Sequence, residues 1–584
     1  KGAELVNRPT STLSQALQGK VPGMNFTAGN FGFEPGAALN LQIRGQGAPL
    51  ILVDGIYTTS INGLNPNDVE SISVLKDAAA AAIYGARAPY GVVLITTKSG
   101  AASNKLTIEY SGNYSIIKPI NMPHHLDAYT TALALNEAAI NSGITPLYTN
   151  TTIDRILAYM KDPVNTPETY PASANPALWA NTMESNANYD WFNVFYGEGH
   201  RYQHNLSFSG GNKGVSFYLS GGYVNDGGVL QVGTDNYRRY NMNAKFDANL
   251  AKWIKLTSNT RYFNTSRNTP AYDNQGNYDL LFHQVARTFP SQYMKSPFGV
   301  YSIQSKIPWT RDAGNENTTV NDMVQRFAAE ITPLDGWTIN ADYTFDFTST
   351  EFASKNFTVY EDNVAGQPVL SGSTSPSSVA KSQQINFYRS VNAYTTYKFQ
   401  LQERHRFSVM AGYQQEQSDL SYLSASKTAM ITPEVPTLNT STGVVNANDN
   451  LSNYATEGVF GRLNYNYNDR YLLEVNGRYD GTYKFAPGKK WGFFPSVSAG
   501  WNVSSEEFWD HLRPTINAFK VRGSWGSLGN QLTAQPYQDI ALLGVNANLP
   551  WIISGTRPSY TTAPGLVNPD VTWETSNTKN LGVD

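Results

Sequence analysis

From Leu106 onward the sequence alternates. Leu106, Ile108, Tyr110, Gly112 and Tyr114 are separated by Thr107, Glu109, Ser111 and Asn113. The same period returns near residues 215–223, 240–246, 254–262, 337–347, 391–397, 407–413, 459–467, 471–479, 497–503 and 519–525. A period of two places successive side chains on opposite faces of a strand, so each run carries one apolar or aromatic face and one polar face. A transmembrane β-barrel needs this pattern, with lipid outside and water inside, and each crossing takes about 9–11 tilted residues. Short turns, such as Asn468-Asp469 and the charged link around Gln402, Glu403 and Arg404, alternate with long excursions at 126–189, which opens on a helical pattern over 126–142 with Asp127 as cap and Gly143 as stop and continues as a polar stretch, and at 265–321. That asymmetry fits periplasmic turns and extracellular loops better than a soluble sandwich. Aromatics at strand ends, such as Tyr471 and Tyr479, suit interfacial girdles, although strand propensity alone also favours them.

Composition agrees. Charged residues are 15% of the 584, against about 25% in an ordinary soluble domain. A mean hydropathy of −0.39 excludes a helical membrane protein but not a barrel, whose lumen and loops are polar. Net charge is −3, so there is no nucleic-acid footprint. Absence of cysteine removes disulfides, thiol nucleophiles and Cys-ligated zinc.

Ahead of the alternating region lies a compact mixed unit, residues 49–100. Leu50–Val53 is apolar and ends in the turn Asp54-Gly55. Asn65-Pro66 opens a second turn that leads through Asp68 and Glu70 into a strand ending at Leu75-Lys76. Asp77 is placed to cap an alanine helix starting at Ala78 and running to Ile83 and Tyr84, with Gly85 as its stop. After Gly91, the β-branched run 92–97 predicts a closing strand. Upstream, residues 10–19 predict a short helix capped by Ser11 or Thr12.

The stretch LNPNDVESISVLKDAAAAAIYGARAPYGVVLITTKSG, together with TLSQALQGKVPGMNF and LQIRGQG upstream, resembles the plug signature of SusC/RagA-type TonB-dependent outer-membrane transporters. The resemblance implies a mainly β fold: a transmembrane antiparallel barrel, of about 22 strands in this family, enclosing a small α/β plug. Residues 1–103 would be the plug and 104–584 part of the barrel, with N-terminal signals and C-terminal strands outside this stretch. An open sheet edge has no hydrogen-bond partners in lipid, so the visible strands call for more.

The resemblance further implies a multi-pass protein of a Gram-negative outer membrane, in contact with its lipid. It implies active import of an oligosaccharide or a peptide, driven by TonB with ExbB/ExbD. It also implies a SusD-like lipoprotein lid, and a dimer of such pairs. In the family, plug loops like 30–38 face the lumen, which makes Phe31, Phe33 and Glu34 substrate candidates or ordinary packing residues. Arg44 is expected to pair with a wall carboxylate or to meet ligand. Trp179, Trp191, Trp309 and Trp551 lie outside the clearest strands, as ligand or lid contacts or as loop packing.

No nucleophile elbow, Walker loop or zinc-protease motif is present, so no catalytic residue is assigned. His124 and His125 are adjacent and are expected to point apart on a strand. Residues 446–450 and 273–279 offer oxygen ligands for Ca²⁺ without EF-hand spacing, and read also as solvated loops. The competing readings are a surface β-rich adhesin and a secreted glycan-active enzyme; the plug-like N-terminus argues against both.

Overall fold

The computed structural model describes the chain except for residues 1, 3, 5–7, 9, 29–33, 77–80, 102–103, 272–277, 371–373 and 533. Its N-terminal unit holds α1 (Leu13–Leu17), β1 (Met24–Ala28), β2 (Leu39–Ile43), β3 (Leu50–Val53), β4 (Ile56–Tyr57), β5 (Val69–Leu75) and β6 (Val92–Thr97). Strands β1 and β2 form a hairpin, and the other four form a sheet in the order β4-β3-β6-β5. The β3–β6 pair is parallel, so the chain must cross over between them, and residues 54–91 do this. Leu13, Leu17, Leu41, Ile43, Val53 and Val93 close the core.

Local signals act as the sequence requires. The Thr12 hydroxyl accepts from the Gln15 amide at the start of α1. Asn65 caps the 3₁₀ turn Pro66–Asp68. The expected cap Asp77 and Ala78 lie outside the described residues. The chain then passes through a single 3₁₀ turn, Ala82–Tyr84, and Gly85 follows it at φ +80°.

Everything after this unit is organised by one antiparallel sheet of fourteen strands. In chain order these are β7 (Thr107–Ile117), β8 (Gly199–Gly211), β9 (Val215–Gly227), β10 (Asn236–Ala251), β11 (Ile254–Pro270), β12 (Gly314–Leu334) and β13 (Trp337–Asn356). After a small hairpin, β14 (Tyr360–Asp362) with β15 (Pro368–Leu370), come β16 (Ser378–Leu401), β17 (His405–Thr428), β18 (Val445–Tyr467), β19 (Tyr471–Thr482), β20 (Trp491–Asn502) and β21 (Lys520–Asn530). A second hairpin, β22 (Gly544–Asn546) with β23 (Tyr560–Thr562), precedes β24 (Glu574–Val583). Each wall strand pairs with its neighbours in the sequence of wall strands, and β7 and β24 have one neighbour each among the described residues.

One face of this wall is apolar and exposed, with Tyr110, Phe246, Phe327, Tyr343, Val409 and Val475 on it. The opposite face carries Arg239, Lys245, Asn259, Glu416 and Arg478, and the N-terminal unit packs there. Polar groups on the apolar face satisfy one another. Thr260 donates to Gln325 (2.5 Å), and the Gln325 amide donates to Ser258 (3.1 Å). No described helix is long and apolar enough to cross a membrane.

Several strands outrun their sequence signal. β16 and β17 are 24 residues each, because pairing continues where the outward face turns polar at Gln415, Gln417 and Asp419. For the same reason the excursion expected over 265–321 is shorter: β11 reaches Pro270 and β12 starts at Gly314. Residues 446–450 are strand rather than loop, paired from Asn446↔Ser426 to Asn450↔Tyr422. Alternate side chains there leave on opposite faces and do not gather around a cation. Of the other Ca²⁺ candidate stretch, 272–277 lie outside the described residues.

The long connections fold into a body of their own at one end of the wall. It contains α2 (Ala128–Asn141), α3 (Asn150–Lys161), α4 (Trp191–Phe195), α5 (Leu281–Ala286) and α6 (Ile307–Arg311). Asp127 caps α2 by accepting from the Thr130 amide at 2.8 Å, as its sequence position predicts. α3 falls in a stretch that reads as polar loop. Its core joins four connections: Trp191, Phe195, Leu230, Leu281, Ile307 and Val359. His124 and His125 lie in a connection, not on a strand, and do not point apart. Both Nδ1 atoms face Asp190, at 3.0 and 3.4 Å.

Candidate functional site: the N-terminal unit against the wall

The N-terminal unit meets the inner face of the wall through separated polar ties, and signature residues supply several of them. The Asp54 turn is left-handed (φ +51°), followed by Gly55 at +82°. Its carboxylate accepts from the Thr97 amide (2.9 Å), the Thr97 hydroxyl (2.5 Å) and Asn259 of β11 (2.8 Å), with Lys245 of β10 at 3.7 Å. Burial pushes the Asp54 carboxyl up, but the Lys245 and Arg261 charges and the Thr97 bonds pull harder, and it ends below its ordinary range. Asn65 divides its amide: Oδ1 accepts from Asn67, and Nδ2 donates to Asn205 of β8 (2.7 Å). Asp68 accepts from the Tyr218 hydroxyl of β9 (2.9 Å), and burial raises its pKa.

Arg239 of β10, fully buried, donates to the carbonyls of Ser11 and Asn62, both at 2.9 Å. On the other side, Arg87 pairs with Glu416 of β17 (2.5 Å). Its guanidinium lies over Tyr57 (3.6 Å) and Tyr454 (4.7 Å). Beside it Arg478 of β19 donates to the Ile83 carbonyl (2.7 Å), Gln414 (2.9 Å) and Asp480 (2.6 Å). Gly85 is favoured here by its backbone, and a side chain would also displace a neighbour. Its φ is positive, and a Cβ would sit 2.7 Å from the Arg478 guanidinium. Gly91, at φ +97°, would press a Cβ to 2.6 Å from the Leu75 carbonyl oxygen.

The remaining signature residues hold the unit together. Leu75 and Tyr84 pack with Leu50, Leu52 and the wall residue Leu528. The Lys76 amine donates to the Pro22 carbonyl. Glu70 is exposed on β5 and its carbonyl accepts from Gly2.

Among the substrate candidates, Phe31 and Phe33 lie outside the described residues. Glu34 sits 3.5 Å from Arg267 at the upper end of β11. Arg44 is exposed in a left-handed turn (φ +54°), its amide donating to Gly23. Trp191 and Trp309 are buried in the core of the loop body, and the Trp191 indole donates to the Phe289 carbonyl. Trp179 is buried too, tilted against Phe298. All three are thus buried side chains. Trp551 is exposed in the connection 531–573. The structure thus brings Asp54, Asn65, Asp68 and Glu34 to the wall and leaves the tryptophans apart from them. Arg239, Glu416 and Arg478 had no sequence signal of their own, and Arg87 stands inside the signature stretch without having been singled out.

Comparison with known proteins places this geometry. The family model described as TonB-dependent Receptor Plug Domain matches residues 1–92, and the model described as TonB dependent receptor-like, beta-barrel matches 286–584. A TonB-dependent receptor of Formosa agariphila is 28% identical across the whole chain, which covers 56% of that protein. TonB-dependent receptor SusC of Bacteroides thetaiotaomicron is 25% identical, again across the whole chain and 56% of the relative. The chain therefore spans about half the length of these curated relatives. Among solved structures, the RagAB peptide importer in its closed-closed state superposes with a TM-score of 0.81 at 23% identity, over the whole chain and 64% of its counterpart. The siderophore receptor PirA of Acinetobacter baumannii shares the fold more distantly, with a TM-score of 0.52 at 13% identity. With its plug packed against the polar face of an antiparallel wall, the chain belongs to the TonB-dependent receptor family, as an outer-membrane β-barrel protein of the SusC and RagA type.

Proposed function

We propose that this chain is the plug (1–103) and the greater part of the barrel (104–584) of an importer that moves an oligomeric nutrient across the outer membrane. The observation that carries this reading is the nature of the plug–wall contact. It consists largely of discrete ion pairs and hydrogen bonds, such as Arg87–Glu416 and Asn65–Asn205, with one apolar contact at the wall residue Leu528, while the plug keeps its larger apolar core to itself. Polar ties can be exchanged for water when the plug is pulled, whereas a shared apolar core would resist. Further strands complete the wall, since open edges are not tolerated in lipid. TonB, energised by ExbB/ExbD, supplies the pull, and a SusD-like lipoprotein closes the extracellular mouth, in a dimer of such pairs. The chain breaks no bond of its cargo.

An oligosaccharide is the favoured cargo, and exposed Trp551 offers a ring face to a sugar. A peptide is the second reading, favoured by the likeness to a peptide importer. Growth of a deletion strain on a panel of glycans and peptides separates them. Loss of growth on one class, restored by the intact gene, supports import of that class. Undiminished growth on all of them overturns the nutrient-import reading.

A further inference from the structure

The lipid face of the wall is not evenly filled. Where β10 to β16 cross the bilayer, outward positions on neighbouring strands are small: Ala248, Ala329, Ala341 and Ala393. Ala329 pairs directly with Ala341, and Ala341 with Ala393. The next outward residues toward the extracellular side are bulky, with Phe327 opposite Tyr343 and Tyr343 opposite Val391. The result is an apolar groove of about 540 Å³, floored by the alanines and walled by the aromatics. That volume lies within the range of small-molecule sites, about 300–1,000 Å³. The ring-walled floor gives an alkyl chain contacts on several sides, where a flat wall would give contact on one.

The short-turn end of the groove supplies the other half of a lipid site. Ala248 and Leu256 flank the β10–β11 turn, Lys252-Trp253, which is exposed. Trp253 and Trp337 stand near that end, at the level where indoles anchor to the membrane interface. Lys252 is exposed, and among the described residues it has no ion-pair partner. From Leu256 to Trp253 is about 10 Å of strand, at about 3.3 Å per residue. One cation and two indoles thus sit a short step below an apolar groove, on the side of the short, periplasmic turns.

We propose that this face binds a glycerophospholipid of the periplasmic leaflet, with one acyl chain in the alanine-floored groove and its phosphate at Lys252. The charge selects the occupant: a phosphate pairs with Lys252, whereas hydrocarbon alone leaves it unused.

The test is native mass spectrometry of the intact protein in mild detergent, with co-extracted phospholipid counted. Wild type is expected to retain one phospholipid through detergent exchange. Ala341→Phe with Ala393→Phe fills the groove and is expected to lower retention about tenfold or more. Lys252→Glu is expected to lower it several-fold. That substitution lies in an exposed turn and leaves the wall intact, so it decides the matter even if the double variant fails to fold, as checked by heat-modifiable migration on gels. Equal retention in wild type and Lys252→Glu overturns the proposal. So does a lipid-free wild type whose groove-filled variant falls from a larger assembly to one copy, because a second copy would then be the occupant.

Discussion

Arg87 concentrates the physics of the plug–wall contact in one side chain. Its charge lies between two tyrosine rings and against Glu416, and both partners are largely buried. Burial alone pushes its pKa down; Glu416 and the surrounding tyrosines raise it, so the charge is kept. Removing either partner strands the other charge in a dry site, at a cost of about 3–5 kcal/mol. Arg87→Ala and Glu416→Ala are therefore each expected to lower the urea concentration that frees the plug. The double variant is expected to lower it by less than the sum, as a double-mutant cycle would show. Asp235, in the connection between β9 and β10, behaves oppositely to Asp54. It accepts from the Tyr278 hydroxyl (2.8 Å), and burial pushes its pKa up to about 6. A carboxyl raised above its unfolded value stabilises fully below about pH 4 and loses that contribution as pH climbs to about 6. Above that, the buried carboxylate costs about 3 kcal/mol. Hydrogen exchange over 228–235 is expected to show weaker protection at pH 8 than at pH 5 once intrinsic rates are removed. Asp235→Asn is expected to abolish the difference. Little of this was legible in the sequence. Arg87 and Glu416 stand 329 residues apart, and no local pattern joins them. Asp54, Asn65 and Asp68 were legible as turn residues, but their wall partners depend on strand register.

At the scale of elements, legibility follows periodicity. Most wall strands showed themselves as alternating runs, but β8 and β12 were not read from the sequence. The runs faded where both faces met water, which is why β11 and β18 extend past their expected ends. The loop body was opaque for a different reason. Trp191, Leu230, Leu281 and Val359 come from four separate connections, and no short window of sequence holds enough of that core to be seen. α3 had a usable cue in Ile153, Ile156 and Tyr159 at helical spacing, masked by flanking Asn, Thr and Pro. α2 was visible through its cap. Asp127→Ala there is expected to cost about 1 kcal/mol of local stability. Faster hydrogen exchange confined to the first turns of 128–141 would register it, and unchanged exchange would show that tertiary packing alone fixes that end.

Across the whole molecule, two surfaces of one sheet do different work. The outer face satisfies its few polar groups laterally and presents the rest to lipid. The inner face offers some of its charges to the plug and pairs others within the wall, as Arg326 does with Asp342 and Arg462 with Glu474. The long connections, meanwhile, make a folded cap at one end of the wall whose packing does not depend on the plug's core. On the proposed import function, such a division would let the plug be released without unfolding either neighbour. Ionic conductance of the intact protein in a planar bilayer tests this most directly. The expected result is insertion with a closed baseline in buffer, and large conductance steps once urea frees the plug, at lower urea in Arg87→Ala. A steady large conductance without urea, or a protein that never enters the bilayer, would contradict it.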